Sequence, residues 1–479
     1  MGRSWRNLEI RPVVVRYTCL CSSHERGPMK LLSQIDEIPP ARTLAIATLQ
    51  WFIILMPSAL IYGMMIAPML YADPALQMQV IQAVFVVSGI FQILQVFIGH
   101  RLPIGVGPTA IIIIGVGAGL AYTTNAIFTA MAICGLAICG LAAVKAHHFL
   151  KKIFTFNIIV TVLLMGCFAV TPMILGLIIP KSAAANPTDY LAFAILFTLF
   201  ILGLSGFLKG MAKQLLLPLA MILGVVLYVV IFPFHVPAIS SAPFGLFTGI
   251  IPTGFDFSLP LLVAFLFCFF TVLVIDFSAV ESMELSLKPE GMDRRFRSGM
   301  AITGLSSVAA GLLGTIGCAN SNFSMNVVLA SRQASRYPLA IAGILFVIIG
   351  FSPVIVSTLM AIPTIVIACL FIYLLGGMFA ATLSLAKERS GGIGYNSGLV
   401  IGIALIFATL IAFLPVTTKT LMNTQIEPVL ANSFIVGIFS ALVIEHLFFR
   451  GQAEQEIHRE EEMETVEEDT RVQHGNGPL

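Results

Sequence analysis

Long, continuous runs of apolar residues broken by short polar connections dominate the chain. Runs of spanning length lie near 45–70, 77–98, 104–122, 125–144, 153–179, 190–208, 213–232, 258–282, 297–315, 320–331, 339–360, 361–381, 395–414 and 430–449. About 20 apolar residues carry an α-helix across a bilayer. The pattern therefore predicts an all-α polytopic membrane protein with 14 transmembrane segments. The runs do not alternate apolar with polar residues, which excludes a β-barrel. Two runs open irregularly: the third with Leu102-Pro103-Ile104-Gly105-Val106-Gly107-Pro108-Thr109, the tenth with Gly314-Thr315-Ile316-Gly317-Cys318-Ala319-Asn320-Ser321-Asn322-Phe323-Ser324. Gly and Pro at these densities disfavour a helix.

The connection from Phe232 to Phe257 lacks Lys and Arg and divides the runs into two nearly equal halves of seven. Seven is odd, so the second half must cross the membrane upside down relative to the first. This predicts a 7+7 inverted repeat whose broken third and tenth spans contribute short strands at the midplane. Interrupted segments at matching places point to a binding site there. The expected units are an N-terminal cytoplasmic tail at 1–43, a first repeat at 44–232, an external connection at 233–257, a second repeat at 258–449 and an acidic cytoplasmic tail at 450–479. Met29-Lys30-Leu31-Leu32-Ser33 reads like a start, so residues 1–28 are expected to be either part of the tail or a mis-called start.

Composition and charge sharpen this picture. The chain is 58% hydrophobic and 10% charged, against about 25% charged in soluble proteins. With the N-terminus inside and the spans alternating, every one of the 26 Lys and Arg except Lys181 and Lys419 falls on the inner side. Inner loops are enriched in Lys and Arg, so the split supports a multi-pass protein of the cell (inner) membrane with both termini cytoplasmic. Six of the eight Cys lie in or beside apolar runs without metal-ligand spacing. They read as packing residues, and neither a metal nor another cofactor is expected. The chain has no HExxH, phosphate loop or nucleophile–base pair, so nothing supports an enzyme or a nucleic-acid partner.

Asp276 is the only acid set well inside a predicted span. An ionisable group at membrane depth is costly and marks a substrate or proton path by default. Glu281 and Glu284 lie nearer the basic loop Lys288–Arg297. Around the broken spans, Thr109, Asn320, Asn322 and Ser324 supply polar side chains, and half-helices there would aim N-terminal N–H groups at a bound group. The bland alternative is that Gly105, Gly107 and Gly317 merely permit close helix packing. Trp51, in Leu49-Gln50-Trp51-Phe52, either lines the site or packs.

At these residues the chain resembles the nucleobase–ascorbate transporter family, also called nucleobase:cation symporter-2, typified by uracil and xanthine permeases. Pro39-Pro40 and Leu49-Gln50 resemble its first span, with Trp51 where His is usual. Pro103 to Gly107-Pro108-Thr109-Ala110 resembles its third-span strand. Val274-Ile275-Asp276 stands where the family carries a substrate- and proton-linked Glu. Gly314 through Ser331-Arg332 is similar to its tenth-span signature, with Phe323 in place of a Glu or Gln, Ser324 of an Asn and Asn326 of a Gly. The resemblance implies a core of spans 1–4 and 8–11, a gate of spans 5–7 and 12–14, a homodimer and an elevator-like movement.

The reading is a secondary active transporter for proton-coupled uptake of a nucleobase such as xanthine or uracil, with sodium coupling left open. Asp276 would hold both substrate and proton. Phe323, Ser324, Asn320, Thr109, Ala110 and Trp51 would complete the substrate site. Two alternatives stand beside it: an anion transporter of the sulfate-permease type, which shares the fold, and a non-transporting membrane sensor or scaffold. The charge asymmetry predicts that a reporter fused after Arg450 is active only as a cytoplasmic fusion; a paired fluorescent-protein and alkaline-phosphatase fusion assay checks it.

Overall fold

The computed structural model describes residues 32–144, 156–169, 171–179, 186–208, 216–233, 239–321, 324–390, 394–415, 430 and 433–449. The first helices are α1 (Ala41–Leu70) and α2 (Pro74–Phe97). Asp73 starts α2, accepting from the Ala75 N–H with Pro74 in the first turn. Asp at the cap followed by Pro suits a helix start, because the cap oxygen takes an orphan donor and Pro has none to lose.

Strand β1 (Val106–Pro108) and half-helix α3 (Ala110–Ala118) follow, then α4 (Thr124–Ala143), α5 (Phe156–Ala169), α6 (Thr171–Ile178), α7 (Pro187–Phe207) and α8 (Leu216–Ile231). The second half holds α9 (Leu259–Leu287), α10 (Met292–Leu313), strand β2 (Cys318–Asn320), half-helix α11 (Ser324–Ser331), α12 (Tyr337–Gly350), α13 (Pro353–Met360), α14 (Thr364–Ser390), α15 (Tyr395–Ala412) and α16 (Ser433–Val443). A π-turn, Ile444–Phe448, ends the last helix.

Six described helices are long and apolar enough to cross a membrane on their own: α1, α2, α4, α7, α9 and α15. The bent pair α12–α13 makes a seventh. Shorter apolar helical stretches among the described residues are α8, the part of α14 from Thr364 to Ala380, and α16 with its π-turn. The runs expected at 339–360 and 361–381 differ most from a straight pair. The chain breaks before Pro353, turns by 87° and breaks again before Pro363. Proline lacks the N–H that an uninterrupted helix requires. Gln82 on α2 donates its amide to the Gly350 carbonyl freed at the bend (2.9 Å).

β1 and β2 form one antiparallel pair, with Val106 opposite Asn320, Gly107 opposite Ala319 and Pro108 opposite Cys318. This pair joins the expected third and tenth spans. Around it α2 packs along α12, α4 along α10, α1 on both α2 and α12, and α9 on α3 and α4. A second set packs mainly on itself: α14 on α5, α6 and α7, and α15 on α5 and α16. Between the sets, α1 touches α8 and α14, and α9 touches α16.

The chain ahead of α1 is tied down as well. Ser33 bridges Gln333, the Arg336 N–H donates to the Ile35 carbonyl, and Asp36 pairs with Arg336 at 2.8 Å.

Small residues set the spacing where helices run closest. A Cβ on Gly135 of α4 would lie 2.7 Å from the Gly304 carbonyl of α10, and one on Gly304 equally close to the Gly135 carbonyl. At Gly140, also on α4, an added Cβ meets nothing within 4 Å. Gly135→Val is therefore expected to destabilise by about 1–3 kcal/mol through overpacking. Gly140→Ala is expected to stabilise by about 0.5–1 kcal/mol, because glycine loses more backbone freedom on folding. Thermal unfolding of the purified variants, with Tm moving in opposite directions, checks both.

Candidate functional site

Two strands among packed apolar helices leave backbone groups that water cannot reach, and flanking side chains take them up. Gln92 of α2 accepts from the Val106 N–H at 2.6 Å and donates to the Ile104 carbonyl at 3.2 Å. Ser306 of α10 does the same for β2, accepting from the Cys318 N–H at 3.1 Å and donating to its carbonyl at 3.2 Å. Each of these side chains acts as a further strand edge. Ser324, the first residue of α11, accepts from the Gly105 N–H at 3.0 Å and donates to the Ser321 carbonyl at 2.7 Å. Thr109 caps α3 through the Ile111 N–H at 3.4 Å. The strands are antiparallel, so α3 and α11 leave the pair from opposite ends, and each helix N-terminus lies beside the pair.

Asp276 of α9 reaches this framework. Its Oδ1 accepts from the Asn320 N–H at 2.6 Å, and the residue is 3% exposed. Its Oδ2 is buried with no hydrogen-bond partner among the described residues, and the Thr303 side chain of α10 borders it. The Asn320 Oδ1 is likewise buried and unpartnered. Beside these groups β1 leaves room: Gly107 is buried, yet a Cβ built on it meets no atom within 4 Å. The other two glycines do pack closely. A Cβ would lie 2.7 Å from Leu55 at Gly105 and 2.5 Å from Ser307 at Gly317. Close packing thus accounts for two of the three.

The structure brings Asp276, Asn320 and Ser324 onto the strand pair, with Thr109 and Ala110 at the start of α3. Trp51 is buried on α1, the helix that packs against β1 and α3. Phe323 and Asn322 lie outside the described residues. Asp276 is not the sole buried acid. Glu445 in the π-turn of the last helix is 2% exposed and accepts from the Asn157 Nδ2 of α5 at 3.1 Å. A widened helical turn and a neighbouring amide turn that carboxylate inward, although it stands near the end of its apolar run. No group of three or more His, Cys, Asp or Glu able to hold a metal occurs among the described residues.

Sequence reading passed over Gln92, Gln95, His100, Thr303 and Ser306. The available signal was Gln92 and Gln95, three residues apart in the largely apolar second half of α2, a spacing that puts them on one face. His100 is fully buried in the α2–β1 connection. Burial pushes its imidazole down to about 3, and the nearby Arg295 and Arg336 act in the same direction against the neighbouring Asn320 side chain. The ring is neutral at physiological pH. An apolar recess of about 240 Å³ also opens among Met65, Pro68, Met69, Leu120 and Leu177. It contains none of the polar groups that converge on the strands.

The chain matches the xanthine/uracil-type Permease family over residues 42–417. It is 24% identical over 435 residues to a candidate purine permease of Bacillus subtilis, covering 83% of this chain and 94% of that one. A second candidate purine permease, from Clostridium perfringens, is 25% identical over 268 residues, or 55% of this chain and 58% of the relative. Among solved structures, the transmembrane domain of the cyanobacterial bicarbonate transporter BicA superposes with TM-score 0.58 at 13% identity, covering 79% of this chain and 98% of that one. The murine anion transporter Slc26a9, in its inward-facing state, gives TM-score 0.57 at 13% identity, covering 86% and 69%. These structural likenesses concern the fold alone. With most of its length matched, and with its broken-span motifs paired in space, the chain belongs to the Permease family, the nucleobase–ascorbate transporters that those motifs resemble.

Proposed function

We propose that this permease is a secondary active transporter that takes up a nucleobase, a purine such as xanthine or a pyrimidine such as uracil, together with a proton. The observation that carries the reading is the Asp276 carboxyl: one oxygen tied to the Asn320 N–H, the other buried and unpartnered beside a strand with open space at Gly107. A buried carboxyl can stay paired only by changing protonation or by gaining a donor. Ring N–H groups of a base are such donors, and a protonated Oδ2 can in addition donate to a ring carbonyl or imine nitrogen. Protonation then favours the base, so that proton and substrate bind and move together.

The other roles follow the same geometry. The first N–H groups of α3 around Ala110 face developing or fixed negative character on a ring carbonyl. Asn320, Ser324 and Thr109 supply polar contacts or hold the backbone that does. Phe323 and Trp51 supply apolar or stacking surface to a planar ring. In this reading the fourteen spans form a 7+7 inverted repeat with both termini cytoplasmic. The set of helices around the strand pair, spans 1–4 and 8–11, moves as a core against a gate of spans 5–7 and 12–14, within a homodimer. The two relatives named as purine permeases favour a purine over a pyrimidine.

A second reading, anion transport, draws on the likeness to BicA and Slc26a9. A fixed carboxylate beside the helix N-termini opposes it, because it repels an anion that those termini would attract.

Two outcomes test the proposal in proteoliposomes. Asp276→Asn is expected to abolish xanthine accumulation driven by a pH gradient while equilibrative exchange persists; uphill accumulation with unchanged pH dependence would remove the proton role. Gly107→Val fills the open space and is expected to eliminate binding of xanthine, uracil and hypoxanthine without lowering the Tm, as read by thermal shift with each base and with sulfate. Stabilisation by sulfate alone would favour the anion reading.

A further inference from the structure

His100 lies outside the substrate site described above, yet its ring borders that site at Asn320. Its N–H donates to the Gln95 Oε1 at 3.2 Å and its carbonyl accepts from Arg295 at 3.4 Å. Its Nδ1 accepts from the Leu102 N–H at 2.9 Å. An imidazole nitrogen that accepts carries no proton, so in the neutral ring the proton sits on Nε2. That Nε2–H is a buried donor without a hydrogen bond of good geometry. It faces the side chain of Asn320, whose Oδ1 is a buried acceptor lacking any partner among the described residues. Donor and acceptor are complementary, and burial away from water makes each costly to leave alone.

The remaining contacts close a loop. The Asn320 N–H holds Asp276 at 2.6 Å. Asp276 borders Thr303, whose Oγ1 accepts from the Gln95 Nε2 at 3.2 Å. Gln95 in turn accepts from the His100 N–H. The loop Asp276–Asn320–His100–Gln95–Thr303 thus takes one group each from α9, β2, the α2–β1 connection, α2 and α10.

We propose that His100 is a positioning residue: its Nε2–H, fixed in that tautomer by the Leu102 N–H, sets the Asn320 side chain and with it the backbone N–H that grips Asp276. The inference rests on the reading of Asp276 as the substrate and proton group. Protonating the ring would turn Nδ1 into a second donor against the Leu102 N–H, so the device works only with a neutral imidazole. The charged groups around it are Arg295 from α10, Arg336 ahead of α12, Arg101 next in sequence and, across Asn320, Asp276. Burial disfavours a charged ring most, and Arg295 and Arg336 act in the same direction.

The test uses the full-length protein in nanodiscs and in proteoliposomes. Nitrogen-15 NMR of labelled histidine is expected to show one ring, lost in His100→Gln, as the Nε2–H tautomer that does not titrate between pH 8 and pH 5. The Gln variant places an amide N–H near the position of Nε2, whereas His100→Asn reaches only the position of Nδ1. His100→Gln is expected to keep the wild-type KM and pH profile of xanthine uptake. His100→Asn is expected to raise KM about tenfold and shift the pH profile, the scale of losing one buried hydrogen bond. Melting temperatures of both variants in nanodiscs show that each is folded. An Nδ1–H tautomer, titration near the ordinary histidine range, or equal KM and pH profiles for the two variants overturns the inference. If the wild type transports no base while the Nε2–H tautomer and the greater stability of the Gln variant over the Asn variant are both found, the positioning role stands and the nucleobase reading fails.

Discussion

Backbone that is not helical, placed among apolar helices, has to find its hydrogen bonds inside the protein. The rest of this structure depends on how β1 and β2 meet that constraint. Their inner edges pair with each other, and their outer edges pair with Gln92 and Ser306. The residues just before β1 and just after β2 are held together too, since the Ser321 N–H donates to the Gly105 carbonyl at 2.8 Å and Ser324 accepts from the Gly105 N–H. Each unpaired group would cost about 1–3 kcal/mol, so losing a few of these contacts would favour a different path for the chain. The polar side chains of α2 and α10 are thus structural requirements of the strands as much as they are parts of a site.

Asp276 gains its position from that arrangement. A carboxylate in an apolar helix has little to bind on its own helix, since the backbone N–H groups there are already used. The end of β2 offers a free N–H at Asn320, and Asp276 takes it. The second oxygen is left buried and without a hydrogen-bond partner among the described residues. The same logic recurs at the α12–α13 bend, where Gln82 takes the Gly350 carbonyl released by the break before Pro353. In both cases a broken helix exposes a backbone group and a buried polar side chain meets it.

Much of this was legible in the amino-acid pattern. Runs of apolar residues marked the helices, and Gly with Pro in the third run and Gly with Asn in the tenth marked the places where a span begins as a strand. Asp276 stood out because an acid in such a run has no cheap explanation. Less visible were residues whose value lies in partners distant in sequence. Gln92 and Ser306 look like ordinary polar interruptions until the strands are beside them. His100 adjoins Arg101 and reads as part of a solvated basic loop, but the connection folds inward and buries it completely. Glu445 lies near the end of its run, where an acid normally meets water, and only the π-turn and Asn157 make it a buried group. The right-angle turn at Pro353 was hidden for a related reason: a proline marks where a helix can break without specifying the direction in which the chain leaves.

Through Oδ1, the acid at the end of β2 holds main chain. Any residue at position 320 except proline presents the same N–H to Asp276. The Asn320 side chain is a separate handle: it lies beside His100 and can tilt that N–H without itself supplying the hydrogen bond. A change at position 320 would therefore weaken the grip by degrees, whereas removing the carboxyl at 276 ends it at once.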